Sequence, residues 1–319
     1  MMNNEWHDCF IEALYKKYPK KSQLVDALMG LLSIEKESVY RRLRKEIMFT
    51  VPELLKIASS FSISLDEIVG IDSKQVIFKA RLWNYLKPTN EDTNEIQMFV
   101  QDINRLKYMP DMEYLEVSNK LSHKLAYGFP YLSKLNLLKW MYQFTDEEML
   151  PFSQIAFPEK ISKLSLEYYK DSKGVNNTSF IWDHMIFEYL VSDICYFHSI
   201  NLINDDEKKL IKKDLYTFLN YMSEVATKGF WPETGNKVSL YISQINIDTN
   251  YSYYYSSDVK LCFVHAFAKN EIYTVDPVMV ENFRIWMQSK KKSSILISEA
   301  DERSRIEFFT KQRQLIDTL

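Results

Sequence analysis

Glycine is scarce in this sequence of 319 residues, which contains only six of them. Neither of the glycine-rich phosphate-binding motifs, GxGxxG and GxxxxGK, occurs in the chain. Both motifs depend on glycine because the backbone N–H groups must approach a phosphate closely. The sequence therefore argues against a dinucleotide-binding or P-loop architecture.

Cysteine is also rare: Cys9, Cys195 and Cys262 lie far apart, are odd in number and form no CxxC pair. This pattern indicates neither a disulfide framework nor a zinc ribbon, and it is typical of a reducing compartment. The hydrolase motifs GxSxG and HExxH are absent as well. We therefore expect a protein that is not an enzyme and has no cofactor.

Long apolar segments are missing too. No uncharged apolar run reaches the roughly 18 residues that a helix needs to span a bilayer. The first ten residues contain Glu5 and Asp8 instead of the apolar centre of a secretory signal. The sequence thus predicts a soluble, cytoplasmic protein without a membrane partner.

Charge is distributed unevenly along the chain. The formal net charge is −3, which by itself would argue against binding to nucleic acid. Between Lys16 and Lys45, however, nine basic residues stand against three acidic ones. Because phosphate binding depends on a local basic patch, this segment is a candidate for contact with nucleic acid.

Apolar residues recur at helical spacing through the first 72 residues and predict five short helices. Thr50 and Glu53 form a capping box that begins the fourth helix, and Ser64 and Glu67 form one that begins the fifth, with Gly70 at its end. The first three helices are predicted over about 5–18, 22–32 and 35–45. Since the chain is long enough for two domains, we assign 1–73 and 74–319.

The third predicted helix is amphipathic. Val39, Tyr40 and Leu43 define its inward face at 100° per residue, and charged side chains point the other way. Arg pairs with guanine and Glu accepts from cytosine in the DNA major groove, while flanking cations bind phosphate. A solvated basic surface is the alternative for such a helix. The candidate DNA-binding residues are Gln23, Lys36, Glu37, Ser38, Arg41, Arg42, Arg44 and Lys45.

The order of motifs in this region resembles the lambda-repressor-like (Xre-type) helix-turn-helix family. The residues that carry the resemblance are Leu24-Val25-Asp26-Ala27-Leu28, Val39-Tyr40-Arg41-Arg42-Leu43-Arg44-Lys45-Glu46, Glu53-Leu54-Leu55-Lys56-Ile57-Ala58 and Ile63-Ser64-Leu65-Asp66-Glu67-Ile68. The resemblance implies a five-helix domain whose third helix enters the major groove and whose second helix contacts the backbone through Ser22 and Gln23. The sequence departs from the family pattern in three ways. It has no Gly before Ile34, it has one extra residue before the third helix, and Glu35 replaces the usual Ser or Thr cap.

The remainder of the chain has mainly helical spacing up to about residue 228. Alternating or β-rich runs follow at 238–242, 259–267 and 294–298. The predicted fold class is therefore mostly α: a five-helix lambda-repressor-like domain, then a larger helical domain with a small antiparallel β-sheet near the C-terminus.

Two further groups of side chains in this region could form a site. His184, Glu188, Cys195 and His198 share a side of a predicted helix at about 180–200, but the rise between its two pairs is about 10 Å, too far for one metal ion. Tyr251, Tyr253 and Tyr255 would share one face of a strand and Tyr254 the other. That aromatic face suits a ligand groove, a packed sheet or a dimer interface.

Together these features predict a transcriptional regulator that binds double-stranded DNA as a homodimer. Residues 74–319 would then serve dimerisation or the sensing of a small-molecule or peptide effector. Two alternatives stay open: a peptide-responsive Xre-type regulator with a helical receptor domain, and an enzyme tethered to a DNA-binding module.

Overall fold

The computed structural model describes residues 5–65, 68, 76–144, 149–266 and 270–319. Its contacts divide the chain into two compact units, Met1–Gln75 and Val76–Leu319. Each unit has its own hydrophobic core. Among the described helices, none combines the length and apolarity required to cross a lipid bilayer.

The first unit is helical. Its elements are α1 (Glu5–Lys17), α2 (Lys21–Leu32), α3 (Lys36–Leu43) and α4 (Val51–Phe61). Leu65 and Ile68 are helical as well, whereas Glu67 and Gly70, which we predicted to cap the fifth helix, lie outside the described residues. The core includes Phe10, Leu14, Leu24, Leu28, Val39 and Ile57.

Local signals set the helix ends of this unit. Ser33 ends α2 in the left-handed conformation, and its N–H donates to the Met29 carbonyl. The predicted capping box at α4 is confirmed: the Glu53 N–H donates to the Thr50 hydroxyl, and the Thr50 N–H donates to the Glu53 carboxylate. Only three residues therefore separate α2 from α3.

The second unit is built on one sheet of eight strands in the order β1-β7-β6-β5-β2-β3-β4-β8. Strands β2, β3 and β4 are parallel, and the other pairs are antiparallel. The strands are β1 (Lys79–Arg81), β2 (Glu113–Ser118), β3 (Asn177–Asp183), β4 (Lys237–Ser243), β5 (Tyr251–Tyr255), β6 (Lys260–His265), β7 (Glu271–Thr274) and β8 (Ser294–Leu296). The helices are α5 (Asn90–Leu106), α6 (His123–Ala126), α7 (Pro130–Phe144), α8 (Glu159–Ser172), α9 (Ile186–Ser199), α10 (Asp205–Lys228), α11 (Pro277–Ser289) and α12 (Glu302–Asp317).

The predicted fold class was wrong for this unit: the sheet is mixed and large, not a small antiparallel sheet beside a helical domain. The short strands β1 and β7 were overlooked, as were the two central strands, β2 and β3. Strands β2 and β3 are largely buried on both faces, as parallel strands are, so they lack the polar alternation that identifies a half-exposed strand.

Side chains alternate between two cores across this sheet. Phe180 and Trp182 of β3 point into a large core shared with helices, whereas Ile181 points into a smaller core beneath α11. The strands are thus covered on both faces. Charged or polar side chains on the central strands are consequently buried, a feature that matters for the cavity described below.

Candidate nucleic-acid interface and interior cavity

Helix α3 buries one side in the first unit. Val39 and Leu43 are buried, and the half-buried Tyr40 packs against the same core. The Lys21 ammonium lies 5.4 Å from the centroid of the Tyr40 ring. The predicted inward face is therefore confirmed, and Arg41, between these positions, faces outward.

Most of the candidate DNA-binding side chains are exposed. Ser38 is half-buried, while the exposed set consists of Gln23, Lys36, Glu37, Arg41, Arg44 and Lys45. The helix ends at Leu43, so the predicted range of 35–45 was two residues too long at this end. Lys45 has a φ of 67°, a left-handed conformation that a helix cannot continue through.

Arg42 differs from the other cations of α3. Its guanidinium donates two hydrogen bonds to the Glu53 carboxylate, at 2.8 and 3.2 Å, and a third to the Ser38 carbonyl. The two side chains are only 13% and 16% exposed. Burial alone would raise the pKa of Glu53, but the hydrogen bonds from Arg42 and Thr50 outweigh it and lower the pKa. The ion pair between Arg42 and Glu53 therefore stabilises the packing of α3 against the start of α4.

Three of the remaining cations form exposed ion pairs. Arg44 contacts Glu37 at 2.6 Å and Glu46 at 2.8 Å, and Lys45 contacts Asp8 at 2.7 Å. Arg41 lies 3.6 Å from Glu46. Exposed pairs contribute about 0–1 kcal/mol each, so DNA phosphates can replace these carboxylates at little cost.

Two helix N-termini lie in the same segment. Lys20 precedes α2 and Glu35 precedes α3, and neither side chain caps its helix within the described part of the unit. The first N–H groups of a helix have no intrahelical acceptor and favour anions. Gln23 lies in the first turn of α2, where a DNA phosphate would find both free N–H groups and nearby cations.

The second unit contains a cavity beside β2. Its empty volume is about 890 Å³ including the part open to solvent, and its lining includes Tyr114, Glu116, Lys124, Tyr254 and Phe263. Glu116 and Lys124 are each only 4% exposed. The Tyr114 hydroxyl donates to Glu116 Oε2 at 2.6 Å, but buried Oε1 has no hydrogen-bond partner among the described residues.

Lys124 lies against an aromatic ring. Its Nζ is 3.2 Å from the centroid of the Tyr114 ring, a cation–π contact. Burial lowers the pKa of Lys124 to about 7, although the carboxylates of Glu116 and Glu271 oppose the change. The cavity thus holds a buried amine and a buried carboxylate, neither of which the sequence analysis selected.

Lys124 should make stability depend on pH. Its pKa is lower in the folded chain than the ordinary 10.5, so the unfolded chain binds more protons between about pH 7 and 10.5. The free energy of unfolding should rise with pH across this window, by at most about 1.4 kcal/mol per pH unit.

Lys124→Met is expected to flatten this rise in the free energy of unfolding between about pH 7 and 9, as measured by urea unfolding. Lys170→Met, at an exposed position, should keep the slope of the unchanged protein. Equal slopes in all three proteins would contradict this role.

The face of β5 that carries Tyr251, Tyr253 and Tyr255 is covered by a helix, so it is not the open ligand groove that was one of its predicted uses. Tyr251, Tyr253 and Tyr255 do share a face and Tyr254 takes the other, as predicted. Helix α11 covers the three, with Tyr251 stacking edge-on against Trp286 at 4.9 Å between centroids. Their face therefore packs mainly against this helix, while Tyr254 on the opposite face lines the cavity, as does Tyr251 at the start of the strand.

The histidines considered in the sequence analysis lie in two places. The helix predicted over about 180–200 was wrong at its start, because residues up to Asp183 belong to β3 and α9 begins at Ile186, so His184 lies outside the helix. His198 contacts Asp205 at 2.9 Å. In the described ranges, no group of three or more His, Cys, Asp or Glu side chains could hold a metal ion. His123 and His265, which appear as isolated residues in the sequence, stack with ring centroids 5.1 Å apart at the cavity wall.

Among the described residues, the exposed face of α3 and the cavity beside β2 are the strongest candidates for a functional site. The first has sequence signals, namely helical periodicity and a cluster of cations. The cavity has only a weak sequence signal, which is that Glu116 lies between the apolar residues Leu115 and Val117 in a buried strand. Comparison of the chain with protein-family models, curated proteins and solved structures found no match.

Proposed function

We propose that this protein is a sequence-specific transcriptional regulator that reads double-stranded DNA with α3 and acts in the cytoplasm. The observation that best supports the proposal is the α2–α3 pair. The helices are joined by three residues, α3 buries Val39 and Leu43, and its other side presents exposed polar and charged groups. A helix held in this way by a preceding helix is how helix-turn-helix proteins reach the major groove.

The candidate residues take different roles in this proposal. Arg41 and Glu37 contact base edges, because both are exposed on α3 and have the donors and acceptors for it. Lys36, Arg44, Lys45 and Gln23 contact phosphates, and Ser38 adjusts to either. Arg42 holds α3 in position through Glu53, so it contributes to DNA binding indirectly.

The second unit supplies dimerisation and regulation in this proposal, and it has no catalytic role. A two-fold dimer places two reading helices about 34 Å apart, one turn of DNA. A helical superhelix with a concave groove would have favoured a peptide-responsive regulator. The large mixed sheet of this unit offers instead a partly open cavity lined by aromatic and polar side chains, so we favour a small-molecule effector.

The first test is a selection of binding sites from random double-stranded DNA by the full-length protein. With the selected operator in hand, Arg41→Ala is expected to weaken specific binding by about 1–3 kcal/mol and to relax discrimination at one base pair. The reason is the loss of a bidentate contact to a base. Fluorescence anisotropy with the operator and with single-base variants measures both effects.

Lys56→Ala is the matched control, because it removes an exposed cation from α4 in the same unit. It should change operator affinity by much less and leave base preference intact. A selection that enriches no sequence would remove the proposed function. If Arg41→Ala leaves affinity and preference unchanged, α3 does not read bases through Arg41.

A further inference from the structure

We propose that the cavity beside β2 binds a planar heterocycle whose edge carries a hydrogen-bond donor next to an acceptor, as in hypoxanthine, guanine and adenine. The inference concerns the second unit alone and does not depend on DNA binding. It stands on two buried groups of opposite charge, on the aromatic walls and on the position of the cavity in the sheet.

The two buried groups present an acceptor and a donor to the same cavity. Glu116 Oε1 is a buried acceptor without a hydrogen-bond partner in the described part of the chain, which costs free energy until a donor reaches it. Lys124 Nζ lies over the Tyr114 ring, and an ammonium can still donate hydrogen bonds. A ligand that offers an N–H to Glu116 and a carbonyl oxygen to Lys124 satisfies both groups at once.

The walls of the cavity select a flat apolar body. Tyr114 and Tyr254 lie with ring centroids 4.7 Å apart, and Phe263 lies 6.4 Å from Tyr254. Trp83 and Phe99 add further aromatic surface to the lining. Aromatic walls with few polar groups are typical of sites for small planar ligands, and stacking tolerates any heterocycle. Glu116 and Lys124 must therefore determine which heterocycles bind.

The position of the cavity also fits a ligand site. Lys124 follows the carboxyl end of β2, and crevices at the carboxyl ends of parallel strands are where open α/β sheets bind ligands. His123, His265 and Asn250 line this cavity and a neighbouring one that reaches Lys120. This adjoining space has room for a substituent on the ring, such as the ribose of a nucleoside.

Inosine and purine riboside provide a matched pair of probes. They differ at the six-membered ring edge, where inosine has a carbonyl and an N–H and purine riboside has an acceptor nitrogen but no donor for Glu116. Titration calorimetry with the full-length protein, without DNA and at about pH 6.5, should show inosine and guanosine binding at least about tenfold more tightly than purine riboside. A tenfold difference corresponds to about 1.4 kcal/mol.

Two variants test the assigned groups. Glu116→Gln keeps the shape but replaces one carboxylate oxygen with a donor, and it should weaken inosine binding at least about tenfold. Lys124→Met removes the other partner and should have an effect of the same sign. Glu167→Gln, an exposed carboxylate on α8, is the control and should bind inosine like the unchanged protein.

Three results would overturn the inference: no nucleoside binding up to about 1 mM, equal affinity for inosine and purine riboside, or unchanged inosine affinity in folded Glu116→Gln protein. The comparison of nucleosides needs only the unchanged chain, so it decides the matter even if a variant fails to fold. None of these results bears on DNA binding by α3, because no DNA is present in the experiment.

Discussion

A fragment of residues 1–75 is expected to bind a single operator about 10²–10⁴-fold more weakly than the full chain. The reason is effective concentration: tethering two half-site readers makes the second contact intramolecular, without any new contact to DNA. The fragment corresponds to a compact unit with its own core, so it should fold while lacking the dimerisation that we assign to the second unit.

The second unit has surface suited to such an interface. Val278 and Ile285 of α11 are seven residues apart, hence on one side of the helix, and both are largely exposed. Large apolar side chains are enriched at the buried centres of homodimer interfaces. Ile285→Asp is therefore expected to shift the full chain towards the monomer if this helix takes part.

The measurement combines solution mass with operator affinity for the fragment and the full chain. Full-length protein carrying Lys56→Ala is the control, and its solution mass and operator affinity should equal those of the unchanged chain. A monomeric full chain, or a fragment that binds as tightly as the whole protein, would show that dimerisation does not reside in the second unit. A dimeric fragment would instead indicate pairing through the helices of the first unit.

Leu43→Ala is expected to destabilise the first unit by about 2–5 kcal/mol. Leu43 is 6% exposed and belongs to the core that α3 shares with its neighbours. Truncation removes buried apolar surface and leaves a cavity, and both effects lower the free energy of unfolding. Because a domain has only about 5–15 kcal/mol of stability in total, much of the unit should open at 37 °C.

Hydrogen exchange of the full-length protein resolves this change. Peptides from α1 and α2 should lose protection by the stated free energy, while peptides from β2 and β3 should keep theirs. Leu55→Ala makes the same chemical change at a position that is 55% exposed, and it should alter protection by about 0.5 kcal/mol or less. Equal protection in the two variants would mean that Leu43 does not support the core.

The first unit could be predicted in detail because its structure depends on short-range signals. The capping box at Thr50 and the apolar spacing of Val39 and Leu43 act within one or two turns of helix, and both were found as expected. What the local signals could not show is the partner of Arg42. Glu53 is eleven residues away, and the choice between a phosphate and this carboxylate depends on how α3 packs against α4.

The strands of the second unit show more clearly which elements a sequence pattern cannot predict. Alternation identified β4, where Val238, Leu240 and Ile242 face one core, but β2 and β3 are buried on both sides and carry no such pattern. A strand of this kind differs from a buried helical segment only through its neighbours in the sheet. The pairing of β2 with β5 joins residues more than 130 positions apart.

The sequence by itself determined helices α1 to α4 of the first unit, the basic character of the segment around α3 and the alternation of faces in the tyrosine strand β5. Only the tertiary structure decided that α11 covers Tyr253, that His123 meets His265, and that the Glu116 and Lys124 side chains share one cavity. The physical reason is range. Hydrogen bonds within a helix and its caps join residues a few positions apart, whereas a sheet brings together distant segments whose chemistry has no common local pattern.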